Sequence, residues 1–167
     1  QAMDDRWFEV YASRVGDEKS RRVAIVFNNI TGRKYAELAL RESEEKLRMI
    51  VESASEYAII TTDLAGHVTS WNTGATRVLG YEEGEILGKN ASLIFTPEDV
   101  IAETPEGEMQ IALQTGRAAD DRWHVRKDGS QFWATGVMMP MRNEAGTLQG
   151  FLKIMRDRTR ERAAEEA

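Results

Sequence analysis

Arg126-Lys127-Asp128-Gly129-Ser130-Gln131-Phe132-Trp133-Ala134-Thr135-Gly136 reads as a turn running into a strand, and this stretch decides the fold. Asp128-Gly129 suits a tight turn that needs positive φ, and Gln131 to Met141 is rich in apolar and aromatic residues. Downstream, a loop at Asn143-Glu144-Ala145-Gly146 returns the chain as a second strand, Leu148 to Arg156. Upstream, Asp121 to Arg126 reads as a third. Strands joined by such short turns form one antiparallel sheet. Asp157-Arg158-Thr159 then opens a charged helix, where Asp157 and Thr159 are suited to accept from its first free amides.

Further upstream, Tyr57 to Thr62 is a β-prone run, Asp63-Leu64-Ala65-Gly66 supplies turn chemistry, and His67 to Trp71 alternates as a returning strand. Asn72 is placed to cap a helix through Leu79, which Gly80 stops. Short helical turns separated by Gly84, Gly88 and Pro97 follow, then a firmer helix from Glu106 to Gln114, ended by Gly116. Two strands, several small helices and three strands predict an α+β domain, with the helices on one face of an antiparallel sheet.

The N-terminal part repeats the ending. Trp7-Phe8-Glu9-Val10-Tyr11 leads through a Gly16-Asp17 turn into Val23-Ala24-Ile25-Val26-Phe27, then Asn29-Ile30-Thr31 and a charged helix. The expectation is a sequence that starts inside one domain of a tandem array: residues 1–30 a hairpin, 31–55 a linker helix, 56–158 a whole domain and 159–167 the start of an output helix. A lone hairpin is marginal in water, so it needs a partner. From Thr31 to Ala54 the sequence is dense in Ala, Leu, Glu, Lys and Arg without Pro. Leu40, Leu47 and Ala54 recur every seven residues with Ile50 at the other core spacing, either as a short dimeric coiled-coil seam or as a cover for one side of the sheet.

The net charge of -6, from 22 basic and 28 acidic residues, excludes a basic nucleic-acid footprint. No apolar run approaches the roughly 20 residues that cross a bilayer, and no signal peptide opens the sequence, so the segment reads as cytoplasmic. With no Cys, disulfides, thiolate zinc sites and thiol nucleophiles are excluded. The sequence also lacks a His paired with a nucleophile motif, a Gly-rich phosphate loop with Lys and a spaced metal-ligand set, so the segment is not read as an enzyme.

Trp71-Asn72 with Ala75, Leu79-Gly80-Tyr81, Gly88-Lys89-Asn90, Pro97-Glu98-Asp99, Thr115-Gly116, Arg126 to Ser130 with Phe132-Trp133, and Asp157-Arg158-Thr159 together resemble a PAS domain of bacterial sensory proteins. The resemblance covers about residues 45–160, and residues 1–30 resemble the last two strands of another such domain. It implies a five-stranded antiparallel sheet cradling small helices, with flanking helices that transmit state to a kinase or cyclase. It further implies a homodimeric sensor or relay module of a signalling protein. The output would be a sensor histidine kinase, with a diguanylate cyclase or a ligand-free dimerisation module as alternatives. Signal would leave at Asp157 and Thr159.

The resemblance also allows the family's chemistries to be checked. The flavin photoreceptors carry a reactive Cys directly after Gly-x-Asn; here Ala91 follows Gly88-Lys89-Asn90, so adduct photochemistry is excluded. Haem members carry an axial His on the long helix, and residues 106–114 contain none. His67 adjoins a turn, and the alternation Arg122, His124, Arg126 places His124 towards solvent. Non-covalent flavin, another small ligand or an empty packed core stay open. Pocket candidates from the family's inward positions are Ile59, Thr61, Trp71, Val78, Asn90, Leu93, Phe95, Met109, Leu113, Trp133 and Met138, with Trp123 a further source of stacking.

Overall fold

A computed structural model describes residues 6–17 and 19–167, so residues 1–5 of the expected hairpin segment, and position 18, lie outside the described residues. The chain divides into two compact units, residues 1–49 and 50–167.

In the first unit β1 (Phe8–Val15) and β2 (Arg22–Asn29) pair antiparallel, with Phe8 opposite Asn29 and Val15 opposite Arg22. The helix α1 (Thr31–Ser53) begins here and crosses the division. Its surface carries ion pairs one turn apart, Lys34 to Glu37 and Arg41 to Glu45, each worth roughly 0.2–0.5 kcal/mol. None of its residues is buried, and Leu40, Leu47 and Ile50 are 61%, 62% and 57% exposed. Ala54, expected in the same seam, lies past the helix end: its N–H bonds the Val51 carbonyl and its carbonyl accepts from Tyr57.

The second unit starts with β3 (Ala58–Thr62) and β4 (Val68–Trp71), an antiparallel pair with a register shift at Thr61/Thr62. Then come α2 (Thr73–Leu79), α3 (Glu83–Ile86), a 3-10 turn at Ala91–Ile94, α4 (Pro97–Ile101) and α5 (Thr104–Thr115). Strands β5 (Ala118–Ala119), β6 (Arg122–Val125), β7 (Gln131–Arg142) and β8 (Leu148–Asp157) follow, and α6 (Thr159–Glu165) closes the chain. Gly84, expected to separate helical turns, lies inside α3.

The sheet order is β4-β3-β8-β7-β5, with β6 also on β7. Six strands replace the five expected, because the edge strand is interrupted at Asp120 and Asp121. Ala119 faces Val137 and Arg122 faces Ala134, so the register runs on without a shift. The Asp120 N–H still bonds the Gly136 carbonyl. The two pieces therefore fill one position of a five-position sheet.

Asn72 ties the helices to the sheet. Its Oδ1 accepts from the Ala75 amide, capping α2, and from the Ile59 amide of β3; its Nδ2 donates to the Val51 and Tyr57 carbonyls. Gly80, at φ 81°, ends α2 in the left-handed conformation that glycine adopts without steric cost. The core packs Ile60, Leu79, Ile86, Ile94, Phe132 and Met155, all at most 1% exposed. Each such side chain stabilises the fold by about 1.5–3 kcal/mol. Among the described residues no helix is long and apolar enough to cross a membrane.

Candidate functional site

Between α5 and the sheet lies a cavity of about 20 Å³, lined by Ile60 and Thr62 of β3, Asn90, Ile94, Phe95, Met109 of α5, Met138 of β7, and Phe151 and Lys153 of β8. Four of the expected pocket residues, Asn90, Phe95, Met109 and Met138, meet there. Asn90 is already committed locally, its Oδ1 accepting from Ser92 and its Nδ2 donating to the Ala65 carbonyl.

The other candidates are placed differently. On β3 the inward residues are Ala58, Ile60 and Thr62, one register from the expected Ile59 and Thr61. The Asn72 bond to the Ile59 amide and the pairing of Ile60 with Lys153 fix this phase. Leu93 yields to Ile94 in the same way and packs against the main core. Trp71 and Val78 belong to that core, and Leu113 packs with Ala112, Ala118, Met138 and Phe151. Trp133 pairs with Trp123 across β7 and β6, ring centroids 5.7 Å apart, and Arg162 of α6 lies 3.7 Å from the Trp133 ring. The partly exposed Trp123 shares this surface, so neither indole lines the cavity.

A charged cluster unforeseen in the sequence reaches the cavity through Lys153. Lys153 Nζ lies 2.7 Å from Glu108 Oε2 and 2.8 Å from Asp120 Oδ2, and all three side chains are at most 3% exposed. Arg122 Nε donates to Asp120 Oδ1 at 2.9 Å. Its single N–H is thereby used, and its 3.0 Å contact with Glu108 Oε1 is an ion pair without a hydrogen bond. His124, expected at the surface, is fully buried. Its Nδ1 lies 2.9 Å from the Ile94 carbonyl and its Nε2 2.9 Å from Asp120 Oδ2. Both ring nitrogens thus face oxygen acceptors. Hydrophobic alternation put Arg122 and His124 outside because it assumes polar residues seek water; here counter-charges from α5 and β8 wait inside.

Burial raises the Glu108 carboxyl to about 7, against the pull of Lys153. Burial also pushes Asp120 upward, but Lys153 and His124 outweigh it and hold that carboxyl well below its usual range. Asp120 thus keeps the negative charge while Glu108 takes up a proton first. For Glu108 the folded pKa lies above the ordinary 4.5, so its burial penalty is absent below pH 4.5, grows as pH rises, and is complete above about 7.

Thr62 Oγ1 is buried on the cavity without a hydrogen-bond partner. The space suits one water, which needs about 10–15 Å³ by this measure, whereas organic ligands occupy pockets of about 300–1,000 Å³. A volume of about 20 Å³ does not admit a flavin in this arrangement. The helix α5 carries no His, and both nitrogens of His124 lie within hydrogen-bond distance of acceptors.

At the sheet's other end, Arg126 joins the helices to the exit. One guanidinium nitrogen donates to the Val78 carbonyl of α2, and Nη2 donates to Asp157 Oδ2 at 2.5 Å. Asp157 Oδ1 accepts from the Thr159 amide at 2.9 Å and its hydroxyl at 2.6 Å. Burial raises the Asp157 carboxyl, but its bonds from Thr159 and Arg126 prevail and lower it. The Thr159 hydroxyl, expected as a helix cap, instead accepts from the Trp133 amide of β7. The cluster's one sequence signal was Lys153, a lone cation in the apolar run from Gly150 to Met155; Arg126 gave none beyond its place in the turn motif.

The PAS domain family profile matches residues 56–160. The chain is 36% identical over 121 residues to two-component system protein A of Emericella nidulans, covering 72% of this chain and 18% of that protein. It is 28% identical over 143 residues to the cell-division control histidine kinase PdhS of Brucella anthropi, covering 77% of this chain and 12% of that kinase. A PAS domain crystal structure from Colwellia psychrerythraea is similar at a TM-score of 0.62 and 27% identity, covering 68% of this chain and 96% of that one. The chain thus spans under a fifth of the length of these curated relatives.

Proposed function

The chain belongs to the PAS domain family of signalling proteins, and we propose on that premise that it works as a relay module feeding a histidine kinase through α6. The observation that carries this reading is the Arg126 bridge. One guanidinium holds both the last turn of α2 and the carboxylate that fixes the start of α6, so a change in helix packing on the sheet is felt where the chain leaves it. Occupancy of the cavity, or docking of a partner on the small helices, would shift the balance between two arrangements of that junction. The cavity in the present arrangement admits no organic ligand, which favours partner state over small-molecule occupancy as the input.

Arg126→Gln is expected to speed amide exchange in α6 by about 10-fold or more while the β3–β8 ladder stays protected, since a hydrogen bond to a charged group contributes roughly 1.5–3 kcal/mol. Arg126→Lys should restore little, because an ammonium does not span both acceptors as the planar fork does. Unchanged exchange in α6 for the folded Gln variant would remove Arg126 from the relay.

A second reading, dimerisation, is favoured by α1. Its 23 residues bury no side chain, yet Leu40, Leu47 and Ile50 stand on it more than half exposed, and a second copy of α1 is the proposed cover. The unaltered chain is then expected to sediment as a dimer and Leu47→Glu with Ile50→Glu as a monomer. A variant that stays dimeric places the interface elsewhere.

A further inference from the structure

The N-terminal hairpin repeats three bonds of the junction of β7, β8 and α6, although the Thr31 hydroxyl donates to the Trp7 carbonyl and the Thr159 hydroxyl to Asp157 Oδ1. The Trp7 amide donates to Thr31 Oγ1 at 2.8 Å, as the Trp133 amide does to Thr159 Oγ1 at 2.9 Å. The Ile30 amide reaches the Trp7 carbonyl at 2.9 Å, and the Arg158 amide reaches the Trp133 carbonyl at 2.8 Å. The Thr31 amide donates to Asn29 Oδ1 at 3.0 Å, where the Thr159 amide donates to Asp157 Oδ1 at 2.9 Å. The strand register agrees as well: Phe8 faces Asn29 as Ala134 faces Asp157, and Val10 faces Phe27 as Gly136 faces Met155.

This correspondence carries the inside and outside of the second unit onto the hairpin. In β7 and β8 the residues Ala134, Met138, Phe151, Lys153 and Met155 are buried, as is Phe132, whose counterpart Arg6 lies just before β1. The counterparts of the first five are Phe8, Ala12, Val23, Ile25 and Phe27, and Val10 stands at Gly136 on the same face. All six are apolar, and all six are exposed. The opposite face holds Glu9, Ser13, Arg22 and Asn28 together with Tyr11, Val15, Ala24 and Val26, a mixed surface. Arg14 and Asn29 close this face at its two ends, opposite Val23 and Phe8, and a two-stranded ribbon with so large an exposed apolar patch is marginal in water by itself.

We propose that this apolar face is the core face of a second PAS fold. Its cover is the sequence preceding the hairpin in the same polypeptide, folded as the strands and small helices that lie against β7 and β8 here. One free edge would take a strand equivalent to β3, and the other a strand equivalent to β5 and β6. Ile25 stands where Lys153 stands in the second unit, so that fold has an apolar residue in place of the ammonium. The inference rests on the family membership of residues 56–160 and not on the relay reading, so either can fail alone.

Hydrogen exchange by mass spectrometry tests it on two forms, the 167-residue chain and the natural polypeptide carrying the sequence upstream of it. The amides of β1 and β2 are expected to exchange nearly unprotected in the shorter form and at least about 100-fold more slowly in the longer. Ile25→Asp should abolish that protection, whereas Ser13→Asp on the opposite face should not. Protection already present in the 167-residue chain would overturn the proposal: concentration-dependent protection would make a second copy the cover, and concentration-independent protection would make this chain its own. Protection absent from both forms, or lost with Ser13→Asp and kept with Ile25→Asp, would overturn it equally.

Discussion

Lys153→Met is expected to destabilise the second unit by about 3–5 kcal/mol at pH 7.5, the cost of removing one partner from a buried ionic group. The ammonium sits between Glu108 and Asp120, and Met replaces its volume without its charge. Two carboxylates then share a buried site without the cation between them. Asp120 keeps His124 and Arg122, so the burden falls on Glu108, whose remaining contact with Arg122 is not a hydrogen bond. The pH dependence separates this account from a simple packing defect. Glu108 already binds its proton more tightly in the folded state, and loss of Lys153 raises its pKa further. The destabilisation is therefore largest above pH 7 and shrinks as pH falls towards 4.5. Glu108→Gln in the same chain should recover part of the loss at pH 7.5 and remove much of the pH dependence. Chemical denaturation at pH 7.5 and pH 5 decides the matter; a loss below about 1 kcal/mol at pH 7.5 would mean that the cluster is not coupled as described.

Trp71→Ala should cost a similar amount, about 3–5 kcal/mol, through the cavity it leaves. The indole is 4% exposed in the main core, meets the Tyr81 ring edge-on at 6.4 Å, and donates from Nε1 to the Tyr81 carbonyl at 3.0 Å. Trp71→Phe keeps most of the volume and loses the donor, so it should cost about 1–2 kcal/mol. Because Trp71 does not line the cavity at Thr62, its effect is on stability and not on occupancy. Equal midpoints for the Ala variant and the unaltered chain would refute this placement.

Local chemistry determined a great deal of this molecule. The Asn72 cap, the Gly80 and Gly116 stops, the Asp128-Gly129 turn and the order of strands and small helices follow from backbone preferences that act over a few residues. Those preferences do not depend on what lies across the sheet. The repeated ending was equally legible, because a hairpin closed by Asx and Thr contacts to a helix start is a short-range device. Which side of a strand faces the core is a different kind of question. On β3 both alternating sets, Ala58-Ile60-Thr62 and Ile59-Thr61, are compatible with burial; the phase was chosen by Asn72 and by pairing with β8. On β6 the sequence offered Trp123 or His124 for the interior, and transfer preferences alone favour the indole. The tertiary structure chose the imidazole, because α5, β8 and the Asp120 interruption bring Glu108, Lys153 and Asp120 to one place and satisfy it there. The sequence by itself determined the elements and their succession, which local sterics and capping decide. Only the tertiary structure decided which polar groups go inside, since the cost of burying a charge is set by partners that lie tens of residues away along the chain.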